Sequence, residues 1–117
     1  MDGDVRAVMF FCESPKDVAL WWAQLLDVAS DSLNDDGEFW WFIAGSTEYG
    51  FHPSDSEQNP IGGSPVVYLA TKELIAAMER AIALGAVRHR GPLVISPERS
   101  IAQFKDPFGN VFGLDGS

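Results

Sequence analysis

The sequence is poor in cysteine and in basic residues. Its one cysteine, Cys12, excludes an intrachain disulfide framework, and its apolar setting in MFFC is typical of a small core residue rather than a nucleophile. Eight lysine and arginine residues face 17 acidic ones, so the net charge is −9 and the chain repels phosphate backbones and anionic lipid surfaces. We therefore expect neither a nucleic-acid partner nor a membrane partner.

Long apolar runs are also missing. No run of about 18 apolar residues occurs, and the opening MDGDVRAV lacks the basic segment and apolar stretch of a secretion signal, so we expect a cytoplasmic protein. With 117 residues, of which 46 % are hydrophobic and 21 % charged, the chain suits one compact domain spanning residues 1–117. Its 14 aromatic side chains are many for so small a core; two sheet layers or a dimer interface could bury them, and we expect a homodimer.

The first half of the chain predicts a strand, a helix and a hairpin. Val5–Cys12 is short, apolar and β-prone, and Ser14 followed by proline is typical of a helix start. The helix should run to about Leu26, with an apolar face formed by Val18, Trp21, Trp22 and Leu25. This face places both tryptophans of the helix in the core. Phe39–Ala44 and the stretch EYGFH then form a hairpin, and residues 53–64 form a loop.

The second half repeats this order of elements. VVYLA predicts a strand, and Thr71 is a candidate N-cap for a helix closed by Gly85. The apolar face of that helix comprises Leu74, Ile75, Met78, Ala81 and Ile82. The stretches GAVRHRGP and ISPERSIAQFKD predict one or two further strands, and Val111 to Leu114 predict the last one.

A sharp turn interrupts the last apolar run, in KDPFGNVFGL. Asp106 can accept backbone hydrogen bonds, Pro107 presets φ, and Gly109 can adopt the positive φ that returns the chain as a hairpin.

Together with the repeated order of elements, FKDPFGNVFGL and ESPKDVALWW resemble the vicinal oxygen chelate superfamily, which includes glyoxalase I, extradiol dioxygenases and bleomycin-resistance proteins. The resemblance implies an α+β fold of two βαβββ modules, about residues 1–58 and 63–117, whose curved mixed sheets surround a cleft.

The resemblance also identifies four strand positions at which the metal-dependent members carry ligands. Here they correspond to Ala7, Gly50, Val66 and Gly113, and none supplies a donor side chain for a divalent ion. We therefore expect no metal and no other cofactor, and no serine, cysteine or lysine lies in a recognisable nucleophile setting, so we assign no catalytic residue. These small residues either form the floor of the cleft or have their space refilled by other side chains.

Aromatic residues are the more informative candidates for a site. Side chains alternate along a strand, so Trp40 and Trp41 face opposite sides and one of them faces the cleft. Read from Ala7 and Gly113, the cleft side of the first strand carries Met9 and Phe11, whereas Phe112 and Leu114 face the helix. The predicted ligand-binding residues are Met9, Phe11, Trp40 or Trp41, Glu48 and His52. The alternative is that the same aromatics form a dimer interface or core.

The function that these features favour is reversible, metal-independent binding of a small aromatic or cationic molecule, such as an antibiotic or metabolite, in the manner of bleomycin-resistance proteins. One alternative is a glyoxalase-like lyase, isomerase or dioxygenase with a non-standard metal site or none. Another is an interaction module whose aromatic surface receives a protein.

Overall fold

The computed structural model describes residues 3–61 and 63–117. The chain divides into two compact units: the N-terminal unit is Ala7–Pro65, and the C-terminal unit joins residues 3–6 to Val66–Ser117. The division falls directly after the loop expected at residues 53–64. Each unit follows the order strand, helix and three strands, as the resemblance implies.

The N-terminal unit packs one helix on a mixed sheet. Its elements are β1 (Val5–Cys12, whose first two residues belong to the C-terminal unit), α1 (Pro15–Leu25), a 3-10 turn (Ser30–Ser32), β2 (Asn34–Asp35), β3 (Trp40–Ala44) and β4 (Thr47–Pro53). The strand order is β2-β3-β4-β1, in which β1 runs parallel to β4 and the other pairs are antiparallel. The short β2 lies in a polar segment for which the sequence predicted no strand.

The C-terminal unit has the same connectivity. Its elements are β5 (Val66–Thr71), α2 (Leu74–Ala83), β6 (Val87–Ser96), β7 (Arg99–Lys105) and β8 (Val111–Gly116). The order is β5-β8-β7-β6, with β5 parallel to β8 and antiparallel pairs beyond it. In both units the first strand therefore pairs with the last, which the helix crossover allows.

The core of the N-terminal unit lies between α1 and the sheet. Phe42 and Phe51 are fully buried there against Ala19 and Ala23 of the helix. The prediction that both tryptophans of α1 are core residues is wrong for Trp21, which is 58 % exposed. The helix buries the stripe that contains the two alanines, and at about 100° per residue Trp21 lies outside it.

Trp22, in contrast, packs on this core, and its ring centroid is 4.8 Å from that of Phe10. Ser14 precedes α1 as predicted, although its hydroxyl donates to the Asp17 carboxylate at 2.9 Å and makes no cap hydrogen bond to the backbone.

The core of the C-terminal unit lies between α2 and its sheet. Leu74, Phe104 and Leu114 are buried there, with the ring of Phe112 packed against them, so β8 faces the helix as predicted. The predicted apolar face of α2 is too wide, because Ile75 is 63 % exposed and Ile82 is 56 % exposed.

Both ends of α2 are defined by backbone geometry. The N-cap is Glu73 rather than Thr71, whose hydroxyl instead accepts the Glu73 N–H at 3.2 Å. The helix ends before Gly85, whose φ of +98° is typical of a residue that follows a helix C-terminus, as the sequence indicated.

The turn between β7 and β8 is built around one carboxylate. Asp106 Oδ1 accepts the N–H of Phe108 at 2.8 Å and that of Asn110 at 2.9 Å, and the Asn110 amide donates to Oδ2 at 2.9 Å. Gly109 has a φ of +91°, as predicted. These hydrogen bonds lower the pKa of Asp106 below its ordinary value, led by the Asn110 side chain. Among the described residues, no helix is long and apolar enough to cross a membrane.

Candidate functional site

The face of the N-terminal sheet turned away from α1, called here the distal face, collects most of the predicted site residues. Phe10, Phe42 and Phe51 pack with α1, so by alternation their neighbours along each strand point to the other side. The strand register aligns Met9, Gly50 and Trp41 in one row across this face. It carries Ala7, Met9 and Phe11 from β1, Trp41 and Ile43 from β3, and Glu48, Gly50 and His52 from β4.

Four rings follow one another on the distal face, and we call them the ring row. Trp41 stacks on Phe39 with ring centroids 5.2 Å apart and planes 15° apart. Phe39 in turn lies 5.5 Å from His52, and His52 lies 6.0 Å from Phe11. All four side chains are half-buried. The structure therefore joins three predicted residues, Phe11, Trp41 and His52, into one surface, and adds Phe39, which the sequence assigned to a strand but not to the site.

His52 is the polar member of the ring row. Its Nδ1 lies 3.3 Å from the carbonyl oxygen of Pro53, so the tautomer protonated at Nδ1 donates to that carbonyl and leaves Nε2 as an acceptor. The Asp36 carboxylate carries a lowered pKa because it accepts the N–H groups of Phe39 and Glu38, with a smaller contribution from His52. A hydrogen-bond acceptor and a nearby carboxylate thus border an apolar surface.

Trp40 lies on the opposite side of the sheet from Trp41. Its ring packs with the core under α1, and the Lys16 ammonium is 5.7 Å from its centroid. Of the two tryptophans, Trp41 is therefore the one on the distal face, and Trp40 is the one that packs under the helix.

Two of the four positions that correspond to the family's metal ligands, Ala7 and Gly50, lie in the N-terminal unit. Neither carries a donor atom, and neighbouring side chains leave little space beside them. Ala7 is buried beside Glu48 on the neighbouring strand. A Cβ at Gly50 would lie 2.9 Å from the sulfur of Met9, closer than real Cβ atoms come to a neighbour, and 3.0 Å from the Phe39 ring, which is an unusually tight contact. Met9 and Phe39 have thus taken the space above Gly50, as the refilled alternative predicts.

The C-terminal unit closes its glycine position in the same way. Val66 is buried, and the ring of Tyr68 lies directly over Gly113, where a Cβ would overlap three ring carbons. The Gln103 amide donates to the Tyr68 hydroxyl at 2.8 Å, and both side chains are buried. Burial raises the pKa of Tyr68, and the bond from Gln103 opposes that rise. A carboxylate at position 113 would therefore collide with a locked ring.

Sequence reasoning missed Tyr68 and Gln103, because a tyrosine and a glutamine on separate strands carry no spacing signal. It also missed a partly buried ion pair on the same sheet, in which Arg99 Nε and an Arg99 terminal nitrogen donate to the two Asp115 oxygens at 2.9 and 2.8 Å. The Asp115 side chain is 1 % exposed and that of Arg99 is 23 % exposed, so this bidentate pair anchors β7 to β8 with its carboxylate buried.

The metal of the superfamily does not fit these residues. None of its four positions carries an oxygen, nitrogen or sulfur donor, and Met9 and Tyr68 fill the space beside two of them. In the described part of the chain, no three His, Cys, Asp or Glu residues are grouped so that they could hold an ion.

Two units that each pair a first and a last strand in parallel around one helix define the glyoxalase/bleomycin-resistance class of fold. The model of the glyoxalase-like domain family matches residues 7–114, and the chain belongs to this family, within the vicinal oxygen chelate superfamily. The sequence has no significant match among curated proteins.

Solved structures share the fold at low sequence identity. A hypothetical protein of Bacillus halodurans is 13 % identical with a TM-score of 0.71, covering 98 % of this chain and 94 % of that one. Methylmalonyl-CoA epimerase of Mycobacterium tuberculosis is 11 % identical with a TM-score of 0.64, covering 95 % and 85 %. A glyoxalase/bleomycin resistance protein/dioxygenase superfamily member of Vibrio splendidus is 12 % identical with a TM-score of 0.53, covering 96 % and 97 %. At these identities they show the fold alone.

Proposed function

We propose that the protein binds a planar aromatic small molecule reversibly on the ring row, without a metal and without bond making. The observation that carries the proposal is the continuous line of half-buried rings from Trp41 through Phe39 and His52 to Phe11. Flat rings offer a large apolar area with little conformational freedom to lose, which suits them to stacking on a planar ligand.

The chemistry of the surrounding residues supports binding rather than catalysis through a metal. The positions that hold the ion in metal-dependent relatives carry no donor here, and side chains occupy the space beside the two glycines among them. The polar groups on the distal face, His52 within the ring row and Glu48 farther along β4, are suited to orienting a ligand. A hydroxyl or N–H on the ligand can donate to His52 Nε2, and a positive charge would be attracted to Glu48.

The expected affinity follows from the apolar area removed from water. A two-ring ligand that covers about 200 Å² of apolar surface gains about 5 kcal/mol at about 25 cal/mol per Å². Before any cost this gain corresponds to a dissociation constant of about 0.2 mM, and the cost of association consumes a large part of it, so a ligand that makes no other contact should bind with a dissociation constant above about 1 mM.

The proposal is tested by calorimetric titration with 2-naphthol and with a panel of polycyclic cations. Wild-type protein should give saturable binding. Trp41→Ala should weaken this binding at least tenfold, because it removes the ring that stacks on Phe39 at one end of the ring row. Trp21→Ala is the matched control, since it removes a tryptophan whose side chain is 58 % exposed on α1.

Two results would contradict the proposal: no saturable binding to any member of the panel, or equal affinity of wild type and Trp41→Ala. Elemental analysis of protein purified without chelators is the companion measurement, because a stoichiometric divalent ion would favour the enzymatic alternative.

A further inference from the structure

An open cavity of about 440 Å³ lies in the N-terminal unit where β1 ends and α1 begins. Its volume is within the range of roughly 300–1,000 Å³ that is typical of small-molecule pockets. Most of the lining is apolar and comes from β1, from α1 and from the loop that follows β4, including Phe10, Cys12, Val18, Pro60, Ile61 and Pro65. This volume is larger than close packing ordinarily leaves empty, which makes the cavity a candidate binding site.

The cavity lies on the α1 side of the sheet. Phe10 and Cys12 pack with the core under α1, and Val18 belongs to that helix. The ring row lies on the distal face, and Phe11 is the residue of the row that is also among the lining residues of the cavity. The cavity and the ring row are therefore separate surfaces on different sides of the sheet.

The loop that forms the outer wall of the cavity is held by backbone hydrogen bonds. The Ser54 N–H donates to the carbonyl of Cys12 at 3.0 Å, which ties the start of the loop to the end of β1. Asp55 and Asn59 exchange two backbone hydrogen bonds of 2.8 and 2.9 Å, and Asn59 is buried. Pro60 thus follows a closed turn and reaches the cavity from a defined position.

The polar groups that line the cavity beside the start of α1 are hydrogen-bond acceptors. Glu13 supplies a carboxylate. The Ser14 hydroxyl donates its proton to the Asp17 carboxylate at 2.9 Å, which leaves the Ser14 oxygen as an acceptor. A ligand that donates hydrogen bonds at one end therefore finds two partners there.

Charge favours a cation at that end of the ligand. The charged residue that lines the cavity is Glu13, and no lysine or arginine of the described chain lines it. Residues 7–65 contain ten acidic side chains and one basic side chain, Lys16, whose ammonium lies 5.7 Å from the centroid of the Trp40 ring. The N-terminus of α1 carries about half a positive elementary charge, and the full negative charges of Glu13 and Asp17 outweigh it.

We propose that this cavity is a second binding site, separate from the ring row, for a small apolar amine. The apolar body of the ligand packs between Val18 and the loop, and its ammonium group donates to Glu13 and Ser14. The site needs no planar ligand, because its apolar lining offers volume rather than a stack of rings, and it does not depend on the proposed function.

Calorimetric titration with adamantan-1-amine tests the site, because this cage is apolar but not planar and so is a poor ligand for stacked rings. Wild-type protein should bind the amine saturably, and at low salt at least threefold more tightly than adamantane-1-carboxylate. Glu13→Gln should reduce this ratio at least twofold. The absence of saturable binding, or a carboxylate that binds as tightly as the amine, would overturn the inference.

Matched variants test the apolar lining. Ile61→Asn should weaken binding of the amine at least threefold, since it removes apolar contact equivalent to about one buried methylene. Ile75→Asn is the control and should leave the affinity unchanged, because Ile61 is 58 % exposed and Ile75 is 63 % exposed on α2, away from the cavity lining. Equal affinity of wild type and Ile61→Asn would count against the site.

Amide chemical-shift mapping by NMR locates the ligand without any variant. Saturating adamantan-1-amine should move the resonances of Cys12, Glu13 and Val18 and leave those of Phe39 and Trp41 in place. Shifts centred on Phe39 and Trp41 instead would overturn the second site. A failure of 2-naphthol to bind, in contrast, would overturn the proposed function alone.

Discussion

Replacing Gly113 by alanine tests how tightly Tyr68 occupies the position of the lost carboxylate. The backbone φ of Gly113 lies outside the left-handed region, so alanine is conformationally allowed and only packing opposes it. The new Cβ would overlap the Tyr68 ring, and the ring cannot move without disturbing the hydrogen bond from Gln103 to its hydroxyl.

The magnitude follows from these two contacts. Overpacking of a well-filled core costs about 1–3 kcal/mol. Loss of one buried hydrogen bond between neutral groups adds about 1 kcal/mol. We therefore expect Gly113→Ala to lower the free energy of unfolding by about 3 kcal/mol, which for a chain of this size lowers the melting temperature by roughly 12 °C.

Urea unfolding followed by far-UV circular dichroism measures this loss. Gly63→Ala is the control, because the nearest atom to its new Cβ, the carbonyl oxygen of Pro60, lies at 3.4 Å, an ordinary contact. In a Tyr68→Leu background the alanine should cost less than about 1 kcal/mol, since the obstructing ring is gone. A Gly113→Ala protein as stable as wild type, or an equal loss in both backgrounds, would refute the reasoning.

Two further predictions concern charged groups. Arg99→Met leaves the buried Asp115 carboxylate without its bidentate partner, and should cost about 3 kcal/mol in urea unfolding, more than Arg99→Met combined with Asp115→Leu. Asp106 has a lowered pKa in the folded state, so its stabilising contribution is present above the unfolded-state value and is lost as the pH falls through the folded-state value. Asp106→Ala should accordingly lower the melting temperature at pH 7 more than at pH 2, and an equal deficit at both pH values would contradict this.

The order of elements was predictable because it rests on local signals. Ser14 and the following proline mark the start of α1, Gly85 follows the end of α2, and Asp106 with Gly109 forms the last turn, all within a few residues of chain. The two-residue β2 was not predictable, since its polar side chains carry no alternation and only its pairing with Trp40 and Trp41 of β3 makes it a strand.

The candidate site was predictable in part, because side-chain alternation along a strand is also a local signal. Alternation along β1 and β4 groups Met9 with Phe11 and Gly50 with His52, whatever the partner strands are. The contribution of Phe39 was not predictable, because that residue precedes β3 and joins the row only through its ring contacts with Trp41 and His52.

By itself, the sequence determined that each half runs strand, helix, then strands, which residues share a strand face, and that the family's metal-ligand positions carry no donor side chains. Tertiary structure alone decided that Trp22 and not Trp21 enters the core, that Trp41 and not Trp40 joins the distal face, and that Tyr68 covers Gly113. The physical reason is that periodicity states which side chains point the same way, whereas the direction in which they point depends on the packing of elements distant in sequence.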